Sequence, residues 1–460
     1  MTGPSTDIGR DLVVFVAPQT TSFKAAETGL PVPAEAVRVL TASVNGKSPF
    51  ALFEDKRGSS TPFGVIDQKR SAEWSLECYA YTTTSGTAPD WADLLTYGGW
   101  QAETSGDTTI RGTASTTTQV NVNGTSGMGA GSCIVVGGEI RRITAVDATP
   151  GAANVTVTPA LSTAPTTASA AVTGGIIYRP KDAKDTTPDS NTIWAFNNNS
   201  ADRLIGGVVG TNSFTMGGDE AARITFGGTG RQDNRMGQTA ISGGSINDSV
   251  TSIDVDSGVV VPSDASASNP YYYQIDSEVI KVIGVSSDTL TVDTRDVYGT
   301  GGAAASHSDE ALVFPYQPTG TYAGTPIPAT SGQLIVEGGE FQAGSISVEV
   351  DQGIIYRENV HGDAYVVDGY VGGRRAVTAT LEGWSFYDST LIQALNARNR
   401  TSVSVLAQQG EAAGGIVAIE MPTFYFEEPD MDRGGDEVTI SMTGQAVGTA
   451  AETEIYLMIG

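Results

Sequence analysis

Cysteine, histidine and cationic residues are scarce in this chain. Its 460 residues include 2 Cys, 2 His, 26 Lys and Arg together, and 52 Asp and Glu together. Cys78 and Cys133 are too few for a disulfide framework or a Cys-based zinc site. His307 and His361 are too few for a His-based metal centre or a convincing catalytic triad.

The shortage of cations leaves a formal net charge of −26. Tight binding to duplex DNA is therefore not expected, because phosphate contacts require clustered Lys and Arg. The excess of carboxylates is consistent with a surface that repels nucleic acid. It is also what an ordinary protein needs for solubility, so charge does not choose between the two interpretations.

Long apolar runs and complete catalytic motifs are missing as well. No run approaches the roughly 20 residues that cross a bilayer, and residues 12–17 are too short for a signal-peptide core, so a cytoplasmic site of synthesis is expected. Residues 45–48 lack the earlier glycine of a phosphate loop. Residues 254–258 lack the third ligand of a calcium loop. We predict no catalytic residue, cofactor or metal.

Glycine and short β-branched runs are abundant. The chain has 56 Gly, and Val, Ile and Thr runs recur between clusters of Gly, Pro, Asn and Asp, which is typical of many short strands. Few stretches have a helical pattern. The sequence therefore predicts a mainly β protein, and its length suggests about three domains.

Two motifs occur twice in the same order. Residues 70–79 resemble residues 375–384, sharing Arg, Leu-Glu and a closing aromatic residue. Residues 217–228 resemble residues 434–444, with one extra residue in the first copy. Internal repeats of this kind decide the architecture. The pattern predicts a duplicated module without an enzyme signature.

Each copy is predicted to contain a long hairpin, a long strand and one short helix. The hairpins span 50–70 and 354–374, with return strands at 64–66 and 364–367. Asn45-Gly46 predicts a two-residue turn. Asp90 and Thr390 are predicted to cap the helices, which present Leu95 and Leu395 on an apolar face.

Two further segments resemble each other and interrupt this plan. Residues 138–146 with 155–158 match residues 277–285 with 290–293, and both alternate as half-buried strands do. Insertions are tolerated at exposed loops. The predicted domains are a first unit at 1–106 and 181–236, an inserted module at 107–180, a second module at 237–318, and a second unit at 319–460.

This order of elements resembles the tail tube proteins of long-tailed bacteriophages. The second inserted segment, with Glu278-Val-Ile-Lys-Val282, Leu290-Thr-Val292, Gly299-Thr300 and His307, is similar to small β modules of phage structural proteins. The resemblance implies two tandem tail-tube β-sandwich or barrel domains, each with a long hairpin and one short helix, plus two small inserted β domains. It corresponds to the type with two fused tube domains.

The resemblance also implies how the protein assembles. Three chains would form a pseudo-hexameric ring, and rings would stack into the virion tail tube that conducts DNA into the host. The implied partners are further copies of the chain, the tape-measure protein, and tail terminator and tip proteins, while phage DNA passes without specific binding. No membrane partner is implied.

Two groups of residues are candidates for roles in such a tube. The hairpin candidates for contacts between rings are Phe53, Glu54, Asp55, Lys56, Arg57, Arg357, Glu358, Asn359, His361 and Asp363. An ordinary hairpin packed on its own domain is the alternative. The candidates for lining the lumen are Glu427, Glu428, Asp430 and Asp432, and a solvated acidic turn is the alternative.

Two other functions fit the sequence. The chain could be a secreted or capsid-decorating β-repeat protein that binds a partner or glycan, in which case it would remain monomeric. A polysaccharide-processing enzyme would need paired carboxylates such as Glu337 and Glu340. With so many acidic residues, however, such spacings arise by chance.

Overall fold

The computed structural model describes residues 12–19, 29–52, 64–82, 84, 86–181, 189–218, 220–297, 304–358, 360–365, 370–384, 387–434, 438–450 and 452–460. Strands dominate these ranges, which contain two α-helices. The predicted mainly β class is confirmed. No helix in the described ranges is long and apolar enough to cross a bilayer.

The elements of residues 12–104 are β1 (Leu12–Pro18), β2 (Ala36–Val37), β3 (Thr41–Lys47), β4 (Phe50–Leu52), β5 (Val65–Asp67), β6 (Ser71–Tyr79), β7 (Tyr81–Thr82), α1 (Ala92–Tyr97) and β8 (Trp100–Thr104). The first inserted module contains β9 (Thr108–Thr109), β10 (Gln119–Asn121), β11 (Cys133–Val136), β12 (Glu139–Asp147), β13 (Asn154–Thr158) and β14 (Ala171–Gly174). Then follow β15 (Ile176–Pro180), β16 (Asn191–Asn197), β17 (Ser200–Gly217), β18 (Arg223–Gly230) and β19 (Gln232–Met236). We call residues 12–104 with 176–236 the N-terminal half.

The second inserted module contains β20 (Thr239–Ala240), β21 (Ser252–Asp254), β22 (Tyr271–Ile275), β23 (Glu278–Ser286), β24 (Thr289–Thr294) and β25 (Leu312–Pro315). The C-terminal half, residues 325–460, contains β26 (Thr325–Pro326), β27 (Gly332–Val336), β28 (Gly339–Glu340), β29 (Ser345–Asp351), β30 (Ile354–Tyr356), β31 (Tyr370–Gly372), β32 (Ala376–Trp384), α2 (Tyr387–Asn399), β33 (Val403–Gln409), β34 (Val417–Phe426), β35 (Asp430–Asp432), β36 (Thr439–Ala446) and β37 (Tyr456–Ile459).

One continuous antiparallel sheet runs through both halves, and we call it the central sheet. Its strand order is β3, β6, β18, β17, β29, β32, β36 and β35. Side chains alternate between its faces, as strand geometry requires. In β6, Trp74 and Leu76 are buried, while Glu73 is exposed on the opposite face. The sheet therefore has one core face and one solvent face.

The two halves place their strands in the same register. Val44 of β3 lies opposite Trp74 of β6, and Val348 of β29 lies opposite Ala379 of β32. Trp74 and Ala379 are the residues that the repeated motif aligns with each other. The repeat seen in the sequence is therefore also a repeat of strand pairing.

The glycine that closes the second repeated motif has the same structural cause in both copies. A Cβ at Gly228 would lie 1.8 Å from the carbonyl oxygen of Val208, and a Cβ at Gly444 would lie 2.3 Å from that of Tyr425. Contacts this short would force the neighbouring strand to move. Only glycine allows the strand to approach so closely at this position.

The two inserted modules share one topology. Their six-stranded antiparallel sheets have the orders β10-β13-β12-β11-β14-β9 and β21-β24-β23-β22-β25-β20, which correspond strand for strand. The pairing of β12 with β13 shifts register between Ile143 and Ala145, and that of β23 with β24 shifts between Val282 and Gly284. These bulges fall at equivalent places in the segments that the sequence aligned.

The first inserted module packs on the C-terminal half. The guanidinium of Arg142 donates two hydrogen bonds of 2.8 Å to the carboxylate of Glu420 on β34 and stacks 4.6 Å from the ring centre of Tyr456. Burial raises the pKa of Glu420, and the hydrogen bond from Arg142 opposes this rise. The buried pair fixes the module to the half that is distant in sequence.

The second inserted module packs on the N-terminal half. Phe15 and Trp194 share a buried cluster with Tyr271 and Tyr273 of β22. Arg203 donates a 3.1 Å hydrogen bond to the carbonyl oxygen of Pro270 and stacks on the ring of Tyr271. Apolar burial therefore holds this module in place, with one buried cation at its edge.

Several local predictions were wrong. Asn45 and Gly46 lie inside β3 and form no turn. The side chain of Asp233 lies close to this glycine, because a Cβ at Gly46 would lie 3.0 Å from its carboxylate oxygen. The strand that pairs with β30 is β31 at Tyr370–Gly372, whereas the return strand was predicted at 364–367, of which residues 366 and 367 lie outside the described residues.

The predicted helix caps were wrong as well. Helix α1 has Trp91 as N-cap without a side-chain hydrogen bond, because the carboxylate of Asp90 binds Arg38. Helix α2 begins at Tyr387, so that Thr390 lies within it.

Candidate assembly surfaces

The solvent face of the central sheet is rich in hydroxyl and carboxylate groups. Its hydroxyl residues include Thr41, Ser43, Ser75, Thr211, Ser213, Thr215, Ser347, Thr378, Thr380, Ser441 and Thr443, none of them buried. Its carboxylates are Glu73, Glu77, Glu349, Asp351, Glu382, Asp430 and Asp432. In the described strands, the cations on this face are Lys47, which pairs with Glu73, and Arg223, which pairs with Glu77 and Glu220. The face is therefore strongly negative.

Two of the four lumen candidates lie on this face. Asp430 and Asp432 are exposed on β35, opposite Ser441 and Thr439 of β36. Glu427 is exposed in the segment between β34 and β35. Glu428 is exposed too, and its carboxylate pairs with Arg398 of α2 at 2.6 Å. Whether any of them lines a lumen stays a prediction.

Sequence reasoning missed most of the acidic face. Glu73, Glu349, Asp351 and Glu382 are scattered over three strands, whereas the acidic tract at 427–437 is contiguous in sequence. The available signal was the alternation within each strand, because Glu349 and Asp351 alternate with the buried Val348 and Val350. That alternation assigns them to one face only when the strand order is known.

The first hairpin exposes an apolar surface. Its candidate residues 53–57 lie outside the described residues. The described part of this hairpin consists of β4 and β5, which pair only with each other among the described strands. Four of its apolar side chains are half exposed or more, namely Phe50 (62%), Leu52 (50%), Val65 (55%) and Ile66 (52%). Contiguous exposed apolar side chains are typical of an interaction surface.

The second hairpin is bound to its own chain. Arg357, Glu358 and His361 are exposed, and Asn359 lies outside the described residues. The carboxylate of Asp363 pairs with Arg231 of the N-terminal half at 2.8 Å, and each side chain is only about one-tenth exposed. Asp363 therefore already has an intrachain partner, and the packed-hairpin alternative describes this part of the hairpin better.

Both hairpins leave the central sheet at the same end. Adjacent strands are antiparallel, so β3 and β29, four places apart, run in the same direction. The first hairpin follows the end of β3 at Lys47, and the second follows the end of β29 at Asp351. The sheet thus has one hairpin end and one opposite end.

The central sheet has two outer edges. β3 pairs with β6 on one side, and β35 pairs with β36 on one side; no other strand of the described chain pairs with either. At the first edge, the backbone N–H of Gly46 is hydrogen-bonded to Asp233. Burial raises the pKa of Asp233 to about 6, and the nearby Asp202 adds to this rise. Unpaired edges of this kind are templates for another strand.

The two helices differ in exposure. Leu94 and Leu95 of α1 are buried. On α2, Ile392 is 53% exposed and Leu395 is 48% exposed. A 470 Å³ cavity between α2 and β35 is lined by Leu395, Arg398 and Met431, among others. The C-terminal half therefore leaves apolar surface uncovered beside the open edge of β35.

The second inserted module contains a buried ionic cluster. Arg295 donates to both carboxylate oxygens of Glu278, and His307 Nε2 lies 2.7 Å from the same carboxylate. Asp276 lies 2.8 Å from His307 Nδ1. Burial alone would raise the pKa of Glu278, but the hydrogen bonds from Arg295 and His307 lower it to about 2. This cluster explains why the sequence pattern of the second inserted module contains both Glu278 and His307, because the two side chains are in direct contact.

The two carboxylates of the glycosidase alternative, Glu337 and Glu340, lie at the turn between β27 and β28 and on β28 itself. Glu337 accepts a hydrogen bond from the backbone N–H of Ser404, and Glu340 is exposed on β28. In the described part of the chain, no cluster of three His, Cys, Asp or Glu residues could hold a metal ion. No protein-family model matches the chain, and no curated protein shows significant similarity to it.

Proposed function

We propose that this protein is a non-enzymatic virion component, the major tail tube protein of a long-tailed bacteriophage. Three chains close into a pseudo-hexameric ring, and stacked rings form the tube that conducts DNA into the host. The partners are further copies of the chain, the tape-measure protein that fills the tube during assembly, and the terminator and tip proteins.

The central sheet is the observation that carries this proposal. Because β17 pairs with β29, the chain already contains one edge-to-edge junction between two copies of its repeat. A junction that joins unlike edges can be repeated between molecules, and it produces a ring when the rotation closes. Three chains would supply six repeats.

The chemistry of the solvent face supports the role of a conduit. Carboxylates such as Glu349 and Glu382 would repel the phosphates of passing DNA, and hydroxyl groups offer no fixed positive charge. Nonspecific DNA binding depends on cations that neutralise phosphates. A bore lined by this face would therefore let DNA slide without holding it.

The polarity of the sheet supports stacking. Both hairpins leave the central sheet at the same end, so that a ring would present unlike surfaces at its two ends. The exposed apolar residues of β4 and β5 would be covered by the opposite end of the next ring. The burial of this apolar surface would favour head-to-tail stacking.

Electron microscopy of the purified full-length chain over a range of concentrations tests the proposal. We expect rings of three chains with pseudo-sixfold symmetry and, at higher concentration, stacked tubes. Monomers at every concentration would favour the surface-binding alternative. Rings of six identical chains would also contradict the proposal, and the mass of the ring, measured in solution, separates these outcomes.

A further inference from the structure

The junction within the chain defines a register. Residues 211–217 of β17 pair with residues 345–351 of β29, so that Ser213 lies opposite Glu349 and Phe214 lies opposite Val348. The side chains of Phe214 and Val348 are almost completely buried. Backbone hydrogen bonds continue beyond the strand at Gly218 N–H to the Gly344 carbonyl. Even-numbered residues of β29 therefore hydrogen-bond across the junction.

The two open edges are equivalent to the two sides of this junction. β3 pairs with β6 in the same way that β29 pairs with β32, and Val44 occupies the position of Val348. β35 pairs with β36 in the same way that β17 pairs with β18, because Met431 lies opposite Ile440 and Phe214 lies opposite Ile224. Each edge is thus one side of a junction that the chain makes elsewhere.

We propose that β3 of one copy of the chain pairs antiparallel with residues 430–434 of a second copy, with Val44 opposite Met431 and Asn45 opposite Asp430. This inference rests on the proposed function, since it names the partner strand and the register of the contact within the ring. The same register places Ser43 opposite Asp432.

The side chains at these positions fit one another. Val44 and Met431 would meet on the core face, as Phe214 and Val348 do within the chain. On the solvent face, each carboxylate of β35 would meet an uncharged residue, which avoids like-charge pairs.

The ends of the two edges limit the pairing at the same place. The alignment puts Gly46 opposite Pro429, and proline has no N–H to donate. The N–H of Gly46 is already hydrogen-bonded to Asp233. Because both strands lose ladder hydrogen bonds at this one pair, the ladder is confined to residues 41–45 and 430–434.

Cysteine cross-linking tests the register. Asn45 and Asp430 would form a non-hydrogen-bonded pair, whose Cα atoms lie about 4.5 Å apart and can be bridged by a disulfide. Native Cys78 and Cys133 are both buried. We expect the double variant Asn45→Cys/Asp430→Cys to become mostly covalent oligomer on oxidation, with a closed trimer as the largest main species.

The matched control is Thr41→Cys/Asp430→Cys, which places the two thiols four residues out of register. It should form less than about one-tenth of the cross-linked product, because its Cα atoms would lie beyond the reach of a disulfide. Equal cross-linking of both variants, or rings seen by electron microscopy without any Asn45–Asp430 cross-link, would overturn the register and leave the proposed function intact.

A second variant probes the same edge without cysteines. By the equivalence with Phe214, the N–H of Met431 points away from β36 toward the open edge. Met431→Pro should therefore leave thermal unfolding of the monomer within a few degrees of the wild type and abolish rings. Rings of wild-type abundance in this variant would reject the pairing. Absence of rings in the wild-type protein would instead reject the proposed function.

Discussion

Helices α1 and α2 occupy equivalent places in the repeat but have opposite environments. Leu95 is fully buried, whereas Leu395, 300 residues later in the aligned copy, is 48% exposed. The same contrast separates β17, which is paired on both sides in its second part, from β35, which is paired on one. Where a repeat covers a surface in one copy and leaves it open in the other, the open copy marks where another molecule is expected.

The inserted modules give a second contrast, between Glu278 and its counterpart Glu139. Glu278 is buried with Arg295 and His307, whereas Glu139 is partly exposed and binds Arg141 and Ser162. The two sheets have the same strand order, so the ionic clusters are what differ. In each module the acidic residue binds the segment that follows the neighbouring strand. Glu139 binds Ser162, which follows β13, and Glu278 binds Arg295, which follows β24.

Replacing Glu278 is expected to have the largest effect on the stability of the fold. Glu278→Gln leaves the cation of Arg295 buried without a carboxylate, which should cost about 3–5 kcal/mol of folding free energy. Glu139→Gln, at the more exposed counterpart, should cost less, about 1.5–3 kcal/mol. Urea unfolding combined with hydrogen exchange of the β22 and β12 amides measures both losses. Equal losses would show that the two clusters are energetically alike.

Truncating the equivalent leucines tests the contrast between the helices. Leu95→Ala removes a buried side chain and should lower the free energy of unfolding by about 2–5 kcal/mol. Leu395→Ala, its matched control on α2, should change the free energy of unfolding of the monomer by less than about 0.5 kcal/mol. Chemical denaturation at a concentration where the wild type is monomeric checks both. A large loss in Leu395→Ala would mean that α2 is buried within the monomer.

The smallest expected effect is a pH dependence at the edge of β3. The pKa of Asp233 is raised to about 6 in the folded chain, above an unfolded value of about 3.9. The folded state therefore binds this proton more tightly, and the contribution of Asp233 to stability falls as pH rises from about 4 to above 6. Asp233→Asn should gain stability relative to wild type over this range.

Unfolding free energies of wild type and Asp233→Asn at several pH values from about 4 to 8 measure this difference. Asp202→Asn is a useful control, because Asp202 raises the pKa of Asp233 by charge repulsion. This control should shift the transition to lower pH without removing it. A difference between wild type and Asp233→Asn that stays constant with pH would contradict the raised pKa.

The sequence was a good guide where alternation or helical periodicity decides the local structure. The repeated motif at residues 375–384 covers β32, and the apolar face of α1 is buried as expected, because alternation and helical periodicity depend on neighbouring residues. The turn predicted at Asn45-Gly46 failed because both residues continue β3 in its pairing with β6, a contact between strands that a local pattern does not show. The N-cap predicted at Asp90 failed because its carboxylate binds Arg38.

By itself, the sequence determined the mainly β class, the duplication and the likeness of the inserted modules, since repeats and alternation are written along the chain. Only the tertiary structure decided which strand edges meet, because pairing such as that of β17 with β29 joins residues more than a hundred positions apart. That pairing also gathered the scattered carboxylates onto one face of the sheet and left β3 and β35 as its edges. Such contacts depend on the packing of the whole chain, which local patterns do not encode.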